Sequence, residues 1–411
     1  MEYVLSELCE QVMTARASHK PLFISGGGSK RFYGNYRPLL PQDGHCLLDI
    51  TPYRGIVNYQ PAELVVTARA GTRLAELEEV LAREGQMLPF EPPRFGPTAT
   101  LGGCVAVGLA GPRRMSAGGV RDAVLGARLL DAHGHLLAFG GEVIKNVAGY
   151  DVPRLLAGSM GIFGAIVEVS LKVVPRPFAE LTLRQPATQA DALRAFAAWR
   201  ARPLPVSAAC WVPQRGSGPN DPDADAEAEA EAEAEVGDLA ARPGSRNAHA
   251  YPYGGVPGAQ EGDLWVRLSG APGALEAGWR HIGGERVDGA EAMAHWESLR
   301  EQSHPYFCRQ RALWRVAVPP ATPPLPLGVP LIEWGGGQRW VRGPLCADSV
   351  RRTAQNFGGH ATLFRAALPS DVPADGVFHP LTRGAAMLTR RLKQELDPAG
   401  IFNPGRLSPE L

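Results

Sequence analysis

Three glycine-rich segments fall within residues 25–164: SGGGSK at 25–30, TLGG at 100–103 and GSMGIFG at 158–164. Runs of this kind constrain the fold because glycine lets a backbone approach another group with no Cβ in the way. The first follows PLFI, a short apolar run that reads as a strand. Consecutive amides in such a loop can form a nest for phosphate, and Ser29 and Lys30 add a hydroxyl and a charge. The spacing is neither the GxxxxGK[ST] of a P-loop nor GxGxxG. In the second segment Thr100 is positioned to cap a helix that begins Leu101-Gly102-Gly103. Glycine costs a helix roughly 1 kcal/mol relative to alanine, so a pair in the first turn calls for close approach of a ligand or of another helix. In the third, Gly158, Gly161 and Gly164 recur at every third residue. Each segment alone is compatible with a plain turn; together they point to one extended ligand containing a diphosphate.

The chain has 411 residues, long enough for two or three domains and for a large core without disulfide or metal staples. Hydrophobic residues make up 45% and charged residues 20%, which excludes wholesale disorder. The 42 bases and 42 acids cancel, so total charge does not call for nucleic acid. Eight of the acids lie in residues 221–235, DPDADAEAEAEAEAE. Its period of two fits no helix face and its like charges repel, so residues 216–260 are expected to form a disordered acidic insertion. Five lysines stand against 37 arginines, which a GC-rich coding bias explains more simply than anion binding. Six cysteines lie at least 37 residues apart, with no zinc or iron–sulfur spacing. The start lacks a signal-peptide pattern, and no window reads as a membrane span. A cytoplasmic protein is expected, with peripheral membrane attachment through a partner left open.

Apolar patterning predicts a helix over 3–17, strands at 21–27, 46–51 and 63–71, and a helix over 72–84 that stops at Gly85. Leu74, Leu77, Val80 and Leu81 share one face of that helix. Residues 124–130 and 136–139 flank DAHGH as a hairpin, and 164–174 alternates as a half-buried strand. Pro175 and Pro177 end this block. A second mixed block, rich in Trp and Arg, covers 178–212 and 263–370.

SGGGSK, PTATLGG, AGPRR, RDAVLG, KNVAGYD and GSMGIFGAI resemble, in order and spacing, the FAD-binding domain of the vanillyl-alcohol-oxidase and p-cresol-methylhydroxylase (PCMH) type. The wording is most similar to the FAD-binding subunits of bacterial glycolate oxidases (glycolate dehydrogenases). The middle block and LDPAGIFNPGRL at 396–407 resemble the same subunits, so the likeness omits only the acidic insertion. The resemblance implies an α+β fold: a PCMH-type FAD-binding domain of two α/β subdomains over 1–175, an antiparallel-sheet α+β cap over 178–395, and a tail, 396–411, returning to the FAD domain. It implies that Gly26, Gly27, Gly28, Ser29 and Lys30 cradle the pyrophosphate. Thr98, Thr100, Leu101, Gly102 and Gly103 would line the diphosphate and the isoalloxazine ring. Gly161, Gly164, Ala165 and Ile166 would pack on the flavin, with Lys145, Asn146 and Tyr150 on the same wall. No histidine is placed for a covalent link, so non-covalent FAD is expected.

The resemblance also implies an activity and an assembly: oxidation of glycolate or D-lactate to the 2-oxo acid, with a sister FAD-linked subunit and an iron–sulfur subunit taking the electrons. The GDGNxH-type motif of many self-sufficient hydroxy-acid enzymes is absent, and His304, His360 and His379 are isolated, so no metal is expected. Arg113, Arg114, Arg311, Arg315 and Arg339 are candidates for a substrate carboxylate clamp; no catalytic base stands out. Two other readings stay open: a non-catalytic FAD scaffold or electron relay, and a stand-alone FAD-dependent 2-hydroxy-acid dehydrogenase.

Overall fold

The computed structural model describes residues 1–35, 46–141, 151–214, 258–307 and 311–411. Most of the acidic insertion, together with Lys145, Asn146 and Tyr150, lies outside these residues. The chain divides into two units. The first contains residues 1–179, 290–313 and 362–411; the second contains 180–289 and 314–361.

In the first unit, helix α1 (Glu2–Ala17) buries Leu8, Val12 and Ala15. It leads to β1 (Leu22–Ser25), which pairs parallel with β2 (Cys46–Asp49). The C-terminal tail lies along the other side of β1: Leu22 N–H donates to Ile401 and Asn403 N–H donates to Leu22. Next come β3 (Ile56–Gln60) and β4 (Val65–Arg69), then α2 (Leu74–Arg83). Leu74, Leu77 and Leu81 of α2 are fully buried, each contributing roughly 1.5–3 kcal/mol of transfer free energy. The short β5 (Gln86–Met87) follows, and Thr100 caps α3 (Leu101–Val107) by accepting from Gly103 N–H. β6 (Val124–Leu130) and β7 (Leu136–Gly140) form the hairpin, and β8 (Ala165–Lys172) closes a five-stranded antiparallel sheet ordered β3-β4-β8-β6-β7.

β8 is buried along nearly its whole length, where the alternating pattern predicted a strand with one wet face. Its polar residues are paired inside the sheet rather than hydrated. Glu168 accepts from Tyr53 Oη at 2.7 Å and from Arg128 at 3.1 Å, and the Ser170 and Thr67 hydroxyls are 2.8 Å apart. A central strand can carry polar side chains when its neighbours satisfy them.

In the second unit, strands Ala179–Thr188, Glu261–Gly270, Val206–Pro213, Leu331–Glu333 and Gln338–Arg342 neighbour one another in that order. Val206–Pro213 is antiparallel to both of its neighbours. The helices include Gln189–Arg200, whose Leu193, Phe196 and Trp199 are buried. The mixture of elements is α+β. Residues 290–313 and 362–395, read from the sequence with the cap, pack with the first unit instead. The contacts are both polar and aromatic: Glu301 on the amides of Arg94 and Phe95, Lys393 on the carbonyls of Ile162 and Phe402, and the rings of Phe364 and Phe378 on Tyr33. Among the described residues no helix is long and apolar enough to cross a membrane.

Candidate functional site

A cavity of about 1080 Å³ opens in the first unit, above the 300–1,000 Å³ or so typical of small-ligand sites. A second cavity of about 880 Å³ shares residues 25–29, Arg31, Leu47 and Thr100 with it. The two therefore meet along the first glycine loop and offer one elongated groove.

The loops are knitted together by short polar contacts. Thr98 Oγ1 donates to the Gly27 carbonyl at 2.6 Å. Gly102 N–H donates to the Ala70 carbonyl at 2.8 Å, drawing the start of α3 onto the end of β4. From the tail, Asn403 Oδ1 accepts from Ile24 N–H at 2.9 Å while its Nδ2 donates to the Met160 carbonyl at 2.7 Å. One side chain thus ties β1 to the third glycine segment. Lys393 Nζ is buried and satisfied three times, by the Ile162 and Phe402 carbonyls and by Asp397. Asp397 in turn accepts from the amides of Ile401 and Phe402.

The charge of the larger cavity is one-sided. Lys30, Arg31, Arg365 and Arg406 line it, and among its described lining residues there is no Asp, Glu or His. Lys30 is buried, and its Nζ reaches the Arg94 carbonyl at 3.2 Å and the Ser29 hydroxyl at 3.4 Å. No carboxylate lies within ion-pair distance of it among the described residues. Burial pushes the Lys30 pKa down, opposed by Cys104 and Glu301. A buried ammonium without a counter-ion, beside a run of glycine amides, is a site built to receive an anion. The nearby Cys104 thiol is itself pushed up to about 12 by burial and is not a reactive thiolate.

Of the residues singled out in the sequence, Gly26, Gly27, Gly28, Ser29, Lys30, Thr100, Gly102, Gly103, Gly161, Gly164 and Ile166 line the larger cavity. Thr98 lines the second. Leu101 and Ala165 are instead packed into the hydrophobic core, on the inner sides of α3 and β8. None of the clamp candidates lines either cavity. Arg113 is buried against Glu91, and Arg339, donating to the Thr322 carbonyl, sits in the second unit with its pKa pushed down to about 10 by burial. The residues missed were Arg31, Arg365, Asn403, Arg406 and the Lys393–Asp397 pair. Arg31 adjoins the glycine loop directly, Arg365 ends the GGHATLFR segment, and the others lie within or just before the LDPAGIFNPGRL segment.

A groove framed by glycine loops, a small parallel sheet and an antiparallel sheet, and lined with cations, fits a dinucleotide, and residues 5–140 match the model of the FAD binding domain family. The fold and the site together define an FAD-linked oxidoreductase, with FAD as cofactor. The glycolate oxidase subunit GlcE of Escherichia coli (strain K12) is 41% identical over 405 residues, spanning 98% of this chain and 97% of that protein. The chain belongs to that subunit's family. The glycolate oxidase subunit GlcD of Bacillus subtilis (strain 168) is 28% identical over 174 residues, 42% of this chain and 36% of that one. A solved structure of alkyldihydroxyacetonephosphate synthase superposes with a TM-score of 0.62 at 14% identity, covering 97% of this chain and 75% of that chain, a likeness of fold alone.

Proposed function

We propose that the chain is the FAD-binding subunit of a glycolate oxidase complex, in which glycolate or D-lactate is oxidised to the 2-oxo acid and electrons leave through an iron–sulfur partner subunit. The observation that carries this reading is the cation-lined larger cavity, with no carboxylate among its described lining residues, in a chain so similar, end to end, to a glycolate oxidase subunit. FAD supplies the hydride acceptor. In this reading the amides of residues 26–28, with Ser29 and Lys30, hold the diphosphate. Gly102, Gly103, Gly161, Gly164 and Ile166 form the walls on which the rest of the cofactor lies. Lys145, Asn146 and Tyr150 are assigned to that same wall by resemblance. The cofactor is held non-covalently, in keeping with a groove whose described lining includes no His or Cys. The complex, including a sister FAD-linked subunit, is cytoplasmic or peripheral at the inner face of the cytoplasmic membrane.

A second reading has its own observation. Oxidising a hydroxy acid needs a base for the hydroxyl proton, and no Asp, Glu or His is among the described residues lining the larger cavity. That favours a subunit that holds FAD and relays electrons while the sister subunit oxidises the substrate. One preparation tests both. The purified chain should be yellow, and acid precipitation should release all its flavin; a colourless protein that takes up no FAD would defeat both readings. Anaerobic glycolate should then bleach the flavin of the isolated chain if the chain is itself catalytic, and leave it oxidised if it is a relay.

Lys30 also sets a pH dependence. A bound diphosphate stabilises its ammonium, so its pKa is higher in the complex than in the free site. Affinity for FAD is then full below the free-site pKa, which burial has lowered, and falls as the pH rises through it. Fluorescence titrations of FAD from neutral to alkaline pH should show this fall, and Lys30→Met should remove it.

A further inference from the structure

Glu301 lies in the stretch 290–313, more than 200 positions from the loop it serves. Its carboxylate accepts from the amides of Arg94 (3.1 Å) and Phe95 (2.7 Å). Arg300 Nε holds the same carboxylate at 2.9 Å. The loop it grips is not relaxed by itself. Glu91 and Phe95 both have left-handed backbone angles, φ of 45° and 51°, a conformation that costs a non-glycine residue of order 1 kcal/mol or more. The loop's outer side is fastened by Arg94, whose guanidinium pairs with Glu78. The loop also meets Lys30, which lines the larger cavity: the Arg94 carbonyl receives Lys30 Nζ at 3.2 Å, and the Phe95 ring lies 5.8 Å from the same nitrogen. Phe95 also packs edge-on to Phe32, which lines the cavity, with ring centres 5.3 Å apart.

Among the described residues Lys30 has only two hydrogen-bond acceptors, and one of them is a carbonyl whose position Glu301 fixes. We propose that Glu301 is a positioning residue: by holding the strained 94–95 turn, it aims the Lys30 ammonium into the groove and so sets how tightly the diphosphate of the cofactor is held. This rests on the reading that the groove takes FAD. It explains why a carboxylate so far along the chain, and outside the glycine loops, packs against the first unit's binding wall. Glu301 never touches the ligand; it acts through the loop and through Lys30.

The test is a double-mutant cycle on FAD affinity, measured by fluorescence quenching on the full chain stripped of flavin. Glu301→Gln keeps the shape and one acceptor but removes the charge, and should weaken FAD roughly tenfold; Lys30→Met should weaken it by up to roughly a hundredfold. The double variant should bind no more weakly than Lys30→Met alone. A second readout separates positioning from simple loop damage. Glu301 is the charged group that raises the Lys30 pKa through space; Cys104, its thiol pushed up to about 12, stays neutral over this range. Removing the Glu301 charge should move the alkaline fall in FAD affinity to lower pH, whereas a merely structural defect lowers affinity equally at every pH. If Glu301→Gln does not fold, Glu301→Asp, which keeps the charge but shortens the reach, enters the same cycle with the same expected non-additivity. Unchanged affinity, factors that multiply, or, for Glu301→Gln, an unmoved pH profile overturns the proposal while leaving FAD binding intact. A wild-type chain that does not bind FAD takes down the functional reading and this inference together.

Discussion

Replacing Asp397 by alanine is expected to destabilise the first unit by about 3–5 kcal/mol, the cost of leaving a buried charge without its partner. Asp397 is buried, and its carboxylate holds Lys393 Nζ at 2.7 Å as well as the amides of Ile401 and Phe402. The substitution therefore strands an ammonium and two amides at once. It also releases the stretch that runs beside β1, because Ile401 and Asn403 exchange backbone hydrogen bonds with Leu22. Urea unfolding should show a much lower midpoint with little change in slope, and flavin should be lost before the global transition. The pH dependence has a definite sign. Burial holds the Lys393 pKa below its ordinary value of 10.5, with Asp397 opposing. Between the folded and unfolded values the unfolded chain binds more protons, so this lysine makes stability rise with pH there. Without Asp397 the folded pKa falls further and the window extends to lower pH. A variant with wild-type stability would show that the Lys393 cluster does not hold the tail.

Local features of the first unit were legible because their signals are local. The 72–84 pattern resolves into α2 with Leu74, Leu77 and Leu81 buried, and DAHGH is a turn between paired strands. Thr100 followed by glycines becomes a capped helix beside the groove. The glycine segments were legible as a set because absence of a side chain is visible in the sequence whatever lies opposite. What could not be read was which distant chain lies opposite. Glu301 looks like any acid at the end of a surface helix until the 94–95 amides are placed beside it. Lys393 sits in a helix whose other cations are exposed, and only Ile162 and Phe402 turn it inward. The resemblance put Leu101 and Ala165 on the ligand wall with their neighbours, yet a helix and a strand each turn successive side chains to different faces, and both pack into the core. The clamp candidates line neither cavity, and a long cationic side chain finds carboxylates and carbonyls inside the protein as readily as in a ligand, as Arg113 does with Glu91.

The other large effect is expected at Gly27. A Cβ added there would fall on the carbonyl oxygen of Thr98, with the Thr98 carbonyl carbon and Cβ also inside normal contact. Neither side can give way cheaply. The obstructing atoms are backbone, and Thr98 Oγ1 is already hydrogen-bonded to the Gly27 carbonyl at 2.6 Å. Gly27→Ala must therefore push the first glycine loop away from the segment that leads into α3, separating the two walls where both cavities meet. Overpacking a relaxed site costs typically 1–3 kcal/mol, and the top of that range or more is expected where only backbone can move. The consequence for the cofactor is larger than for the fold, because the amides that converge on the diphosphate must stay within hydrogen-bond distance of it to contribute. The variant should purify without flavin and fail to recover it on titration, with only a moderate fall in thermal midpoint. Gly28→Ala is the control. Its φ of +72° makes alanine unfavourable, but the nearest atoms belong to the flexible Arg31 side chain, so about 1 kcal/mol of strain and partial retention of FAD are expected. If both alanine variants bind FAD equally well, the two loops do not form a common cradle, and the cofactor lies elsewhere in the first unit.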